Sequence, residues 1–313
     1  MTMRSSSLAT IIKQDLEGLL SFLREEAKLL EVALVLPEAG KAATLRELSA
    51  RTGIPKETLR GRLLRLAERK REVFQLLAQL LSPGGYVLLD PTWVNGEERI
   101  VVLAALYWGK RVALPLLWEL RGLEGKKKSL VLPLVIRLKR LTGGLPFYLV
   151  ADREFDSLEL RKGLSKQGIG YVIRAKKRFR RLERERVRVF RGLRQREAWV
   201  LLVRKTSCPV RTYRLRPLIE LLFKHTKSFL GLERLLNWKV SPKLREGFLI
   251  LIMLLYTLLV LLGLYALELG RSPLNPSEYS PFRIGYTLTL RAARGYGLFE
   301  AMRRLEGGGK WAG

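Results

Sequence analysis

LPFYLVADREF, residues 145–155, is the stretch that decides the predicted fold. Its large apolar residues predict a buried strand that stops at Asp152. Residues 156–168 then have helical spacing and end in glycine, and IGYVIRAKK at 169–177 predicts another strand. A strand, a helix and a strand in this order are typical of an α/β sheet.

Three more strands are predicted upstream of this stretch. GGYVLLDPTWVNG at 84–96 contains a short apolar run that ends at Asp90. RIVVLAALYWG at 99–109 and VALPLLWEL at 112–120 follow, with turn residues between them, so the three strands should form a meander. A helix over 126–144 has a Gly-rich end. The sequence therefore predicts a mixed α/β sheet with helices on both faces.

The charge of the chain narrows the classes of function. Lys and Arg number 58 against 29 Asp and Glu, so the formal net charge is +29. This favours nucleic acid as a partner over a membrane surface or a merely solvated basic surface. With one cysteine, Cys208, and one histidine, His225, a disulfide framework and a Cys/His zinc site are excluded. A metal must be held by carboxylates, which favours Mg²⁺ or Mn²⁺.

Residues 1–85 are predicted to form a helical DNA-binding region. TLRELSARTGIPKETLRGRLLRL at 44–66 has leucines at helical spacing on both sides of a turn at Gly53. The pattern is typical of a helix-turn-helix, although an ordinary helical hairpin with a basic, solvated face has the same spacing. The side chains that the second helix would offer to DNA are Lys56, Thr58, Arg60 and Arg62.

Residues 174–196 are rich in Lys and Arg. The alternating pattern of RVRVFRGLRQREAWVLLVRK at 186–205 and a turn near Gly192 predict a short basic β-hairpin. We expect it as an insertion in the sheet domain at about 178–211. It either contacts phosphates or forms a solvated edge.

FLILIMLLYTLLVLLGLYAL at 248–267 is uncharged and long enough to span a bilayer. A helix buried on all sides in a large domain has the same composition. Because the run is solitary and its flanks are basic, we expect a buried core helix and no membrane. A membrane protein anchored by this segment is the alternative.

Asp90 and Asp152 each follow a run of large apolar residues, and both are predicted at the same edge of the sheet. Ligands collect at the ends of strands in open α/β sheets. Either acid alone is also explained by stopping a strand or capping a turn. Two together, in a chain nearly devoid of His and Cys, indicate a metal site.

A third acid, Glu220, lies in TYRLRPLIELLFKHTK at 212–227. At about 100° per residue, Arg216, Glu220, Lys224 and Lys227 share one stripe of a helix, backed by apolar residues. Glu220 is therefore either half of an i,i+4 ion pair with Lys224, worth only a few tenths of a kcal/mol, or a ligand beside the two aspartates.

The spacing Tyr213-x2-Arg216-x3-Glu220-x6-Lys227 resembles the Y-(2)-R-(3)-E-(6)-K signature of bacterial insertion-sequence DDE transposases of the IS-four type. VADREF at 150–155 resembles the second-Asp motif of that family, with a Glu where the family has Gly. LDPTWV and the strand that follows it resemble the first-Asp motif. The resemblance covers roughly residues 86–265.

The resemblance implies an RNase H-like catalytic domain over residues 86–300, followed by a tail at 301–313. In such a domain Asp90, Asp152 and Glu220 hold two Mg²⁺ or Mn²⁺ ions. Two ions activate a water or a 3′-OH for in-line attack on a phosphodiester. The implied reaction is cleavage at the ends of an insertion sequence and strand transfer into target DNA.

The resemblance also implies how DNA is held. The residues expected to grip the strand at the cleavage site are Tyr213, Arg216 and Lys227. Arg153 would contact a phosphate or a flipped base, while Trp93 and Trp199 either stack on a base or belong to the core. The partners would be double-stranded DNA of the terminal inverted repeats and of the target, bound by a homodimer on paired ends. The protein would be cytoplasmic and associated with the nucleoid.

Two other functions are compatible with these features. A helix-turn-helix regulator with a non-catalytic RNase H-like domain needs none of the three acids. A plain RNase H-like nuclease needs them but neither recognises nor joins ends.

Overall fold

The structure, a computed structural model, describes residues 7–25, 44–93, 98–122, 128–176, 186–191, 198–233 and 240–293. The chain divides into a helical unit of residues 1–71 and 225–313 and a sheet unit of residues 72–224. The helical unit combines both ends of the chain, whereas the sequence alone divides the chain after residue 85. Asp90, Asp152 and Glu220 all belong to the sheet unit.

The described helices and strands are numbered in chain order. The helices are α1 Leu8–Glu25, α2 Leu45–Thr52, α3 Lys56–Glu68, α4 Lys70–Ala78, α5 Lys128–Leu141, α6 Leu158–Lys166, α7 Pro209–Tyr213, α8 Pro217–Ser228, α9 Pro242–Glu268 and α10 Pro281–Ala293. The strands are β1 Gly85–Trp93, β2 Glu98–Leu106, β3 Ala113–Gly122, β4 Phe147–Ala151, β5 Gly170–Arg174, β6 Arg186–Arg191 and β7 Ala198–Arg204.

The described strands form one sheet in the order β3-β2-β1-β4-β5-β7-β6. Strands β1, β2 and β3 are antiparallel neighbours, which confirms the predicted meander. Strand β4 is parallel to β1, and β5 is parallel to β4, each reached through a helix. The sheet is therefore mixed, as the sequence predicts.

Strand β1 differs from its prediction. It does not stop at Asp90 but continues to Trp93, because β2 still pairs with it there, with Thr92 opposite Ile100. On its other side the ladder with β4 ends at the pair Leu89 and Ala151. Asp90 therefore lies inside β1, at the level where its parallel neighbour has ended.

Strands β6 and β7 are antiparallel to each other, and β7 also pairs antiparallel with β5. They thus prolong the sheet beyond β5. The basic residues 177–185 and the turn at 192–197 lie outside the described residues, as does the side chain of Trp199.

In the helical unit, α2 and α3 are joined at the predicted turn. Thr44 caps α2 by accepting a hydrogen bond from the Glu47 backbone N–H at 3.1 Å. Gly53 ends α2 with a φ of 67°, a left-handed conformation that favours glycine. Of the side chains predicted to meet DNA, those of Lys56 and Arg60 are exposed, and those of Thr58 and Arg62 are half-buried. Their contact with DNA stays a prediction.

Helix α9 contains the uncharged run. Residues 247–266 are buried along their whole length, as expected of a core helix. Within the described part of the chain, α9 is the one helix long and apolar enough to cross a membrane, and its most apolar window is entirely buried.

Glycines let α9 and α10 approach closely. A Cβ added at Gly263 would collide with the carbonyl oxygen of Pro281, and one at Gly285 with that of Leu259. Because these obstacles are backbone atoms, we expect Gly263→Ala or Gly285→Ala to lower the free energy of unfolding by about 3 kcal/mol in denaturant titrations. The control is Gly61→Ala in α3, where no atom lies near the added Cβ. If both core variants were as stable as this control, the close helix contact would be wrong.

Candidate active site

The two aspartates come together because of the sheet register. Leu89 and Ala151 are neighbours on the parallel strands β1 and β4, so Asp90 and Asp152 follow side by side. The Asp90 side chain is only 8% exposed, and that of Asp152 is 26% exposed. Asp152 also caps the short 3₁₀ turn Arg153–Phe155, since its Oδ1 accepts a hydrogen bond from the Arg153 N–H at 2.7 Å.

Arg216 contacts all three predicted acids. Its Nη2 donates to Asp90 Oδ1 at 2.7 Å and lies 3.8 Å from Asp152 Oδ2. Its Nη1 donates to Glu220 Oε1. One guanidinium thus contacts three carboxylates, which come from β1, from the residue after β4 and from α8.

The start of α8 explains how Arg216 and Glu220 reach this place. Pro217 is the first residue of the helix, which suits its fixed φ. Ile219 and Leu222 are fully buried and fix one face of the helix against the core. Glu220 projects from a different face, with its side chain 54% exposed, and meets the arginine four residues before it.

Tyr213 is bound to the second aspartate. Its hydroxyl donates to Asp152 Oδ1 at 3.0 Å, and the residue is 6% exposed. Burial, with the nearby Asp152 charge, raises the pKa of Tyr213 far above its usual range. The hydroxyl therefore remains a donor, and together with the Arg153 N–H, which donates to the same Oδ1, it holds Asp152 in place.

Burial also changes the ionisation of the aspartate on β1. It raises the pKa of Asp90 from about 3.8 to about 6, against the opposing effect of Arg216. Burial alone would lower the pKa of Arg216, but Asp90 and the other two acids raise it overall. The site therefore concentrates negative charge that requires a cation beside it, and the guanidinium meets that requirement.

The remaining predicted contacts are spread more widely. Arg153 is exposed directly beside Asp152. Trp93 is 38% exposed and lies under the guanidinium of Arg99, which is 3.7 Å from the ring centre. Lys227 belongs to the helical unit, where its Nζ is 3.0 Å from Glu233 Oε1.

The segment after Asp152 contains two further polar pairs that the sequence does not predict. Arg99 Nη1 donates to Glu154 Oε1 at 2.8 Å, so the Glu that departs from the family motif has a partner on β2. The buried Asp156 accepts a hydrogen bond from the Lys176 N–H at 3.1 Å and lies 3.6 Å from Arg161 Nε. The unusual Glu154 was a signal for the first pair. No sequence pattern indicated the second.

The donor chemistry of the three acids fits a hard divalent cation, because carboxylate oxygens are the ligands that Mg²⁺ and Mn²⁺ prefer. In the arrangement described, however, the guanidinium lies among them. No group of three or more His, Cys, Asp or Glu side chains in the described ranges has a metal-holding geometry. A metal would have to compete with Arg216 for these oxygens.

Residues 127–258 match the family described as the transposase DDE domain. The matched range, less than half of the chain, contains Asp152, Arg216 and Glu220 and begins after Asp90. The match supports a DDE transposase.

No curated protein matches the chain. Among solved structures, the chain is similar to the piggyBac transposase in a synaptic complex with hairpin DNA, at 12% identity and a TM-score of 0.45. The likeness covers 90% of this chain and 72% of that one. At this level of likeness, the chemistry of the site has to be argued from the residues of this chain.

Proposed function

We propose that the chain is a transposase of the IS-four type that cleaves DNA at the ends of an insertion sequence and joins those ends to target DNA. The observation that carries this proposal is the contact of one guanidinium, Arg216, with Asp90, Asp152 and Glu220. Three acids from three different elements, one of them 126 positions from Arg216, are in contact with that one group, which is hard to explain as separate strand and helix caps.

The three carboxylates would hold two Mg²⁺ or Mn²⁺ ions. When bound, such ions supply the activated oxygen nucleophile and the stabilised leaving oxygen of an in-line displacement. Asp90 must be ionised to act as a ligand, which its raised pKa of about 6 permits near neutral pH. Tyr213 would keep Asp152 oriented through its hydroxyl.

The residues that would hold phosphates of the strand that is cut are Tyr213, Arg216, Lys227 and the exposed Arg153. Arg216 is suited to this role because a guanidinium binds carboxylate and phosphate oxygens in the same geometry. It could therefore pass from the acids to a DNA phosphate. The meander and two parallel strands support an RNase H-like arrangement for the catalytic region, residues 86–300.

Residues 1–85 would bind the terminal repeats, with the second helix of the helix-turn-helix in the major groove. The exposed side chains of Lys56 and Arg60 support that orientation. The protein would work as a homodimer on paired ends, in the cytoplasm and on the nucleoid. The net charge of +29 supports a duplex partner.

The test uses the DNA that flanks the gene. Inverted repeats found there are made as labelled duplexes and incubated with the full-length protein and Mg²⁺. We expect a cut at the repeat boundary that EDTA prevents and that a scrambled repeat does not support. Cutting without preference for the repeat would indicate a plain nuclease, and specific binding without any cutting in Mg²⁺ or Mn²⁺ would indicate a regulator.

A further inference from the structure

The sheet unit contains a cavity at the opposite end of β4 from the carboxylates. It has a volume of about 340 Å³ and is lined by the first residues of β4 and β5, by the loops before them and by two lysines, Lys139 and Lys205. Strand β4 begins at Phe147, which lines the pocket, and ends at Ala151, directly before Asp152. At about 3.3 Å per residue, the pocket and the carboxylates lie about 15 Å apart, at opposite ends of the same strand.

The two lysines place two positive charges on one wall of the pocket. Lys139 Nζ donates to the Gln167 carbonyl oxygen at 2.5 Å, and Lys205 Nζ donates to the Gly168 carbonyl oxygen at 3.1 Å. These are consecutive carbonyls, so the ammonium groups are held near each other. Each ammonium has three N–H donors, which leaves donors for a ligand. None of the described residues that line the pocket is Asp or Glu.

The backbone beside the two lysines has two unusual features, at Lys205 and at Gly170. Lys205 has a φ of 60°, a left-handed conformation that is uncommon for a residue with a side chain and that concentrates at functional sites. A Cβ at Gly170 would collide with the ring of Tyr148, so the ring lies against bare backbone. The half-exposed ring of Tyr148 thus lines the same pocket as the two ammonium groups.

The loops along this end of the sheet, where β1, β4 and β5 begin, are also basic. Of the loops at this end of the strands, those that the structure describes contain no Asp or Glu: residues 82–84, 107–112, 142–146, 167–169 and 205–208. The turn between β2 and β3 adds Arg111 and the exposed Trp108. The three acids of the candidate active site all lie at the other edge. In the described part of the sheet, the three acids therefore lie at one end of the strands, and the loops at the other end contain basic residues without Asp or Glu.

We propose that the pocket binds backbone phosphates of a DNA segment other than the one at the carboxylates. The inference rests on the proposed function, because that function supplies DNA as the ligand. Two convergent ammonium groups suit phosphate oxygens, and the basic loops on both sides suit a polymer longer than the pocket. Because the pocket lies at the opposite end of β4 from the carboxylates, we assign it to a second segment.

Lysine footprinting tests the site directly. The full-length protein is acetylated in the absence of divalent metal, alone, with a 20-base-pair duplex, or with inorganic phosphate. We expect the duplex to protect Lys139 and Lys205, and phosphate to protect them only weakly at millimolar concentration. Protection by phosphate but not by duplex would assign the pocket to a small anion and overturn the proposal. Protection by neither would also overturn it.

A salt titration of duplex binding gives a second measurement. In the double variant Lys139→Gln and Lys205→Gln, the slope of log K against log salt should become shallower by about 1.8, the value for two lost phosphate contacts. Lys139→Arg with Lys205→Arg should restore the slope, which a loss of fold would not allow. The matched control is Lys162→Gln, an exposed lysine on α6. An unchanged slope in the double Gln variant would contradict the proposal.

The two hypotheses fail separately. Footprinting requires no cleavage. If the duplex protected the lysines of a protein that never cuts an element end, the transposase proposal would be refuted and the proposed phosphate site would stand. If the protein cut element ends specifically while both lysines stayed unprotected, the proposed phosphate site would be refuted and the transposase proposal would stand.

Discussion

Replacing any one of the three acids by its amide, as Asp90→Asn, Asp152→Asn or Glu220→Gln, is expected to lower metal-dependent cleavage of an element end by at least about 1,000-fold. The amide keeps the size of the side chain but removes the charge that a divalent cation needs. Binding of the same duplex should change by less than about threefold, because phosphate contacts come from Lys and Arg. Single-turnover cleavage and fluorescence anisotropy measure the two quantities.

The control for this series is Glu159→Gln, an exposed acid on α6 that belongs to no part of the proposed site. It should cleave at the wild-type rate. If the three amide variants cleaved as fast as this control, the acids would be structural and the assignment of the active site would be lost. If they failed to bind DNA as well, the loss of cleavage would report on folding.

The sequence predicted those parts of the site that depend on local pattern. Apolar runs located β1 and β4, and helical periodicity placed Ile219 and Leu222 in the core. The end of β1 was wrong because a strand lasts as long as a neighbour pairs with it. Here the partner is Ile100 on β2, which no pattern near Asp90 reveals.

The parts that could not be predicted depend on contacts between distant residues. Arg216 was assigned to DNA from its place in a signature, but its nearest described partners are acids, one of them 126 positions away. Its partner Asp90 reaches it only because β1 is registered against β4. The basic pocket had no signal either, because it is assembled from loops that are far apart in sequence.

Arg216→Ala is expected to destabilise the protein by about 3 kcal/mol when no divalent metal is added, because it leaves the buried Asp90 and its neighbours without their cation. The figure is at the lower end for a broken buried pair, since Glu220 is 54% exposed and partly solvated. Arg216→Lys should recover part of the loss, because an ammonium keeps the charge but cannot contact three carboxylates at once. Denaturant titration in EDTA measures all three proteins.

The same variant distinguishes a metal site from an ordinary ion-pair cluster. If the acids are metal ligands, Mn²⁺ should stabilise Arg216→Ala more than it stabilises the wild type, because the metal no longer competes with the guanidinium for Asp90 and Glu220. Thermal unfolding with increasing Mn²⁺ gives this difference without any DNA or cleavage. A cluster that only stabilises the fold would show the loss in EDTA and no added response to Mn²⁺. Equal responses of the two proteins would therefore count against the metal, while leaving the role of Arg216 as the counter-ion of the three acids intact.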